Sequence, residues 1–171
     1  MMRLSKMFAA LVALTITGSM PLSAADFARA EVRDTDGNIV GGVTAETTPS
    51  GTVLLTVSLT ELPPGIHGAH IHETGDCSAS DFSSAGGHVA GDAQHGVDSA
   101  EGPHPGDMPN ITILEAGATQ VEIFSDQLDI DRDILDDDGS AFVLHAGVDD
   151  YTSQPSGASG DRIACGEFSA E

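Results

Sequence analysis

Beyond position 25, apolar and polar residues alternate with a period of two, the spacing of a strand whose two faces meet core and solvent in turn. The segments 27–33, 39–47 and 52–62 follow it, and the last of these (TVLLTVSLTEL) is rich in β-branched residues. Asp34-Thr35-Asp36-Gly37 and Pro49-Ser50-Gly51 mark turns between them, and Pro63-Pro64-Gly65 stops the third. A shorter strand is expected at 67–73. From 74 to 109 the alternation collapses into Gly, Ser, Asp, Pro and His, and a loop of that length inside a compact domain points to function. Strand character returns at 120–125 and 142–144; a second polar loop fills 148–161, and a last strand is expected at 163–168. Helical periodicity is absent from the early segments. Many short strands with regular turns predict an all-β sandwich or barrel.

The first 25 residues differ from the rest. Arg3 and Lys6 precede an apolar run over 7–20, and Ser23-Ala24-Ala25 offers small residues for cleavage. That is the layout of an export signal, and the run is too short for a comfortable membrane span. Cleavage is expected after Ala25, with Ala28-Arg29-Ala30 as the alternative. Residues 26–171 then form one domain, with neither an internal repeat nor a separating linker. Lys6 is the only lysine, so this domain sets four arginines (Arg29, Arg33, Arg132 and Arg162) against all 27 acidic residues. Such a surface argues against nucleic acid and anionic membranes as partners. Cys77 and Cys165 are the only cysteines, and in an exported chain two cysteines most simply form one disulfide. Closing so long a loop is worth about 4–5 kcal/mol on chain-entropy grounds; two free thiols serving a metal are the weaker alternative.

All seven histidines fall between positions 67 and 145. His70-Ile71-His72 on a strand places two imidazoles on one rigid face, a chelate suited to copper or zinc. His88, His95, His104 and Asp107 follow in the long loop, and three histidines with a carboxylate make a tetrahedral zinc set. Asp129, Asp131 and Asp133 have the spacing that opens a calcium-binding loop, but Ile134 stands where that loop needs glycine. They are read as an acidic turn.

Taken in order, His67-Gly68-Ala69-His70-Ile71-His72-Glu73, Gly75-Asp76-Cys77, Ser84-Ala85-Gly86-Gly87-His88, Gln94-His95-Gly96 and His104-Pro105-Gly106-Asp107 resemble the copper–zinc superoxide dismutases. So do Phe142 to Tyr151 (FVLHAGVDDY) and Gly160 to Gly166 (GDRIACG), and the match covers essentially all of 26–171. The resemblance implies a flattened eight-stranded Greek-key β-barrel with two long functional loops. It implies copper on His70, His72, His88 and His145, and zinc on His88, His95, His104 and Asp107, so that His88 bridges both metals. Asp149 would hydrogen-bond a histidine on each metal, Arg162 would hold the superoxide anion beside the copper, and Cys77–Cys165 would tie the long loop to the last strand. Superoxide would be both oxidised and reduced there, with His88 carrying a proton. His67 is left out of the metal set as a structural histidine, and Met108 is read as packing. The family's bacterial members point to the periplasm; monomer and homodimer both stay open.

The sequence departs from the family pattern at Ala69, at Val89-Ala90-Gly91-Asp92 after His88, and in having no lysine in the 149–161 loop. The last departure predicts that the acidic chain repels its anionic substrate at long range and attracts it only locally. Two other readings compete with the enzyme. One is a metal-binding module without turnover; the other is a structural β-barrel domain, which leaves the histidine set unexplained.

Overall fold

The computed structural model describes residues 26–170; the expected export signal lies outside the described residues. Nine strands form: β1 (Phe27–Asp34), β2 (Ile39–Thr47), β3 (Val53–Leu59), β4 (Gly65–His67), β5 (Ala69–His72), β6 (Ile111–Ile113), β7 (Thr119–Ser125), β8 (Ala141–His145) and β9 (Arg162–Ala170). Seven make one strongly curled sheet in the order β5-β8-β9-β1-β2-β3-β7, and β4 pairs with β6 in a second, smaller one. All pairings are antiparallel. Gly68 interrupts what is otherwise one strand over 65–72, whose first half pairs with β6 and whose second half pairs with β8. A tight turn at 114–118 joins β6 to β7. With 65–72 counted once, the strands number the expected eight. The connections β3–β4 and β7–β8 join strands that are not neighbours, as a Greek key requires.

The alternation read in the sequence is the alternation of burial: β3 turns Val53, Leu55, Val57 and Leu59 inward, and β1 does the same with Ala28, Ala30 and Val32. β5 and β8 are buried on both faces. Ile71, Phe142 and Leu144 point into the barrel core, while Ala141 and Val143 pack outward against Phe82 and Ala85 of the long loop. That loop therefore lies over the outer face of β5 and β8 and shields it from water. The Cys77–Cys165 disulfide, spanning a sequence separation of 88, closes this second cluster and ties the loop to β9.

Two segments differ from the sequence expectation. β6 was not anticipated, because three residues are too few to show a period. The Asp129 turn is a one-turn π-helix over Ile130–Ile134, capped when the Arg132 N–H donates to Asp129 Oδ1 at 2.9 Å. Asp133 there accepts from the Asp129 N–H and from the Arg132 guanidinium. The aspartates satisfy backbone and arginine groups of their own turn.

Candidate metal centre

Side-chain alternation puts His70 and His72 on the outer face of β5, and the pairing of β5 with β8 brings His145 alongside. The other edge of β5 is covered by the loop: Ile71 N–H donates to Gly106 O at 2.8 Å, and Val89 N–H donates to Ile71 O at 2.9 Å. These bonds carry His88 and Asp107 to the two histidines of the strand. Gly106 is required for this approach, since a Cβ there would collide with the Ile71 carbonyl.

His70, His72, His88 and His145 surround one point. Ring centroids of His70 and His72 are 6.3 Å apart, and those of His88 and His145 are 6.4 Å apart, as the diagonals of a four-cornered arrangement. The four edges run from 3.9 to 5.7 Å. Among the described residues, the buried side-chain N or O atoms with no hydrogen-bond partner are His70 Nδ1, His72 Nε2, His88 Nε2 and His145 Nε2. Each belongs to one corner. In each ring the opposite nitrogen is occupied: His70 Nε2 by Asp149 Oδ2 at 2.6 Å, His72 Nδ1 by Gly86 O at 3.0 Å, His145 Nδ1 by Gly160 O at 3.2 Å, and His88 Nδ1 by Asp107 Oδ1 at 2.9 Å. On His70, His72 and His145 the carbonyl or carboxylate can only accept, so it fixes the proton on its own side of the ring and leaves the far nitrogen bare, while the His88 contact is to a member of a second set. Burial pushes His70 down to about 3, His72 to about 2 and His145 to about 4, so these rings stay neutral. Four bare imidazole nitrogens in a tetragonal arrangement fit Cu(II).

A second set shares His88. Asp107 Oδ1 lies 2.9 Å from His88 Nδ1, 2.9 Å from His95 Nδ1 and 3.3 Å from His104 Nδ1. His104 Nδ1 is 3.4 Å from His88 Nδ1. Ligand atoms about 2.0–2.1 Å from a tetrahedral zinc lie about 3.3 Å from one another, so the spacing fits. His70 also approaches His88, His95 and Asp107 within metal-binding range. Its Nε2 is engaged by Asp149 and its free Nδ1 belongs to the first set, which leaves His104 as the fourth member here. Asp107 Oδ2 accepts the N–H groups of Gly96 and His104 at 2.8 and 3.0 Å. Burial alone would raise this carboxyl; the bonds from His88 and the two backbone N–H groups outweigh it and hold Asp107 well below the usual carboxylate range.

Asp149 joins the two sets, with one oxygen on His70 Nε2 and the other on His95 Nε2 at 3.0 Å. Burial opposes its charge, but these bonds and the Tyr151 N–H bring it down to about 2. A side chain at Gly157 would collide with both Asp149 and His95. Arg162 is half-buried, its guanidinium donating to Phe82 O and Gly86 O at 2.6 Å each. The Gly86 carbonyl therefore orients His72 and Arg162 together. His67 stands apart, with its ring nitrogens on His145 O and Pro63 O at 2.8 and 3.0 Å, and Met108 is buried in the barrel core.

Several supporting groups carried no assigned role in the sequence. Asn110 clamps Asp149 at both ends of its backbone, accepting from its N–H at 2.9 Å and donating to its carbonyl at 2.9 Å. Gln154 does the same for His95, again at 2.9 Å for each bond. The place of Asn110 three residues after Asp107 was the one available signal; nothing marked Gln154.

Residues 39–168 match the family described as copper/zinc superoxide dismutase (SODC). The chain is 43% identical over 146 residues to a Cu-Zn superoxide dismutase of Caulobacter vibrioides, covering 81% of this chain and 83% of that protein. It is 38% identical over 162 residues to Cu-Zn superoxide dismutase 2 of Aquifex aeolicus, covering 88% and 94%. Among solved structures, the fold is similar to a SOD-like protein from Bacillus subtilis, with a TM-score of 0.77 at 34% identity over 81% of this chain and 96% of that one. It is also similar to the Cu/Zn superoxide dismutase of Brucella abortus, with a TM-score of 0.69 at 26% identity over 82% and 98%. The match spans β5, β8 and the long loop, which together hold the histidine sets, and the chain belongs to the copper/zinc superoxide dismutase family.

Proposed function

We propose that this chain dismutates superoxide, converting two superoxide anions and two protons into one dioxygen and one hydrogen peroxide. His70, His72, His88 and His145 hold copper, and His88, His95, His104 and Asp107 hold zinc. The observation that carries this reading is the set of four bare, buried imidazole nitrogens, one on each copper-side ring. An unpaired buried polar atom is costly, and four of them converging on one point are accounted for by a metal. Copper held there would supply one-electron chemistry, while zinc, which has no redox chemistry, would help to position His88.

The chain's own residues do the rest. Arg162 stays charged at any working pH, and two of its five N–H donors are spent on Phe82 O and Gly86 O, leaving others for an anion. His88 Nε2 is buried and bare, so whenever its bond to copper is open it would hold a proton beside the oxygen species being reduced. Asp149, held by Asn110, keeps His70 and His95 in the tautomers that present their other nitrogens inward. Residues 1–25 direct export, with the periplasm as destination, and residues 26–171 are the working domain; the disulfide and the bacterial relatives support that address.

The test is superoxide consumption by the chain starting at Asp26, with copper and zinc measured on the same sample, beside His145→Ala. Fast consumption with one copper and one zinc per chain, lost in the variant, is expected. Full metal content with consumption no faster than free copper would leave a metal-holding module without turnover.

A further inference from the structure

Two separate surface openings include residues of the site, Arg162 in one and His104 with Asp107 in the other. One is a small surface pocket lined by Asp81, Ser83, Gly160, Asp161 and Arg162. The other is a groove of about 300 Å³ between the loop segment 103–109 and the end of β7, and it shares no residue with the first. Its lining includes His104 and Asp107, two members of the second metal set. Their side chains keep 7% and 6% of their surface accessible, against 2% for His88 and 0% for His95. Water therefore reaches this set from the groove side. Val97 and Phe124, 65% and 69% exposed, flank the groove. Asp126 also lines it, held in place by the Thr52 hydroxyl, which donates to Oδ1 at 2.6 Å. The first opening sets one guanidinium beside two carboxylates, Asp81 and Asp161, whereas the second carries the carboxylates of Asp107 and Asp126 with no arginine or lysine among its lining residues, so a dication is drawn more strongly to the second.

We propose that this groove is the route by which zinc reaches and leaves His88, His95, His104 and Asp107, separate from the opening at Arg162 that admits superoxide. This rests on the reading that those four residues hold zinc. A residue that lines a route without touching the bound ion changes loading and release by the same factor and leaves affinity unchanged. A ligand changes the affinity itself. Phe124 is on the outer surface, so truncating it costs little stability.

The experiment uses the metal-free, disulfide-intact chain with zinc ion alone, following loading by stopped flow and release to a chromogenic chelator. Phe124→Ala and, as a second route variant, Val97→Ala are expected to speed loading and release by the same several-fold factor at constant affinity. Asp126→Asn is expected to load about threefold more slowly at low ionic strength, the gap closing as salt screens the charge. Asp81→Asn, at the other opening, is expected to leave zinc rates unchanged. Unchanged rates in all three groove variants, or slower zinc loading in Asp81→Asn, would overturn the route. If the wild-type chain binds no zinc, or His104→Ala binds it equally well, it is the assignment of the zinc ligands that fails.

Discussion

The two metal cradles share His88 and little else in how they are built. On the side proposed for copper His70, His72 and His145 stand on adjacent strands, and their positions follow from hydrogen-bonded register. Their outward nitrogens are held by Asp149 and by two loop carbonyls, so the four bare nitrogens face one another without any contact among them. On the side proposed for zinc His88, His95 and His104 stand on a loop and gather around one carboxylate oxygen, Asp107 Oδ1. The strand side is placed by backbone pairing; the loop side depends on Asp107 and on the Gln154 clamp, and Asn110 serves both through Asp149. That contrast suits the chemistry, since a site that changes oxidation state gains from a fixed frame. The price of burying four imidazoles without partners is met by the loop and disulfide packed over them.

The largest effect expected from breaking this contrast is on His145→Ala. It should remove superoxide consumption down to the rate of free copper while zinc stays bound, because His145 contributes nothing to the loop set. Next comes Asp107→Ala, which removes the common partner of three histidines and should lower zinc affinity more than 100-fold, beyond the range of outer hydrogen-bond partners; titration of the metal-free chain measures it. Copper should still bind. Asp149→Asn reaches both cradles, and affinity for each metal should drop about 10–100-fold in the same titrations. Loss confined to one metal would show that the bridge is not shared.

Acid sharpens the comparison further. In the unfolded chain His70, His72 and His145 titrate at about 6.5, whereas burial holds them at about 2 to 4 when folded. The unfolded state binds protons first as pH falls, so stability is full above about pH 6.5 and is lost progressively toward the folded values. Denaturant midpoints of the metal-free chain should be level from pH 8 to 7 and decline below 6.5; a level midpoint down to pH 4 would contradict the buried neutral state. The smallest effect is that of salt. With four arginines against 27 acidic residues beyond position 25, the rate constant for superoxide should stay flat or rise as ionic strength increases. A steep fall would reveal a positive funnel.

Much of this architecture was legible before the structure. Period-two runs marked β1, β2 and β3, and the collapse of that pattern at 74–109 marked the loop that carries His88, His95, His104 and Asp107. His70-Ile71-His72 was readable because a strand places alternate residues on one face. What escaped the sequence has a common physical cause: it depends on backbone atoms from distant segments. The carbonyls of Gly86 and Gly160, which set the tautomers of His72 and His145, have no side-chain signature. Gln154 finds His95 across 59 positions, and no local pattern announces such a partner. β6 is three residues long, and its pairing with β4 is set by the bend at Gly68.

The most direct test of the shared-histidine account is anomalous diffraction from crystals of the chain loaded with both metals, collected at the copper and zinc absorption edges. Copper should be found on His70 Nδ1, His72 Nε2, His88 Nε2 and His145 Nε2, and zinc on His88 Nδ1, His95 Nδ1, His104 Nδ1 and Asp107 Oδ1. Copper lodged away from His145, or a His88 ring that contacts only one ion in the oxidised crystal, would contradict it.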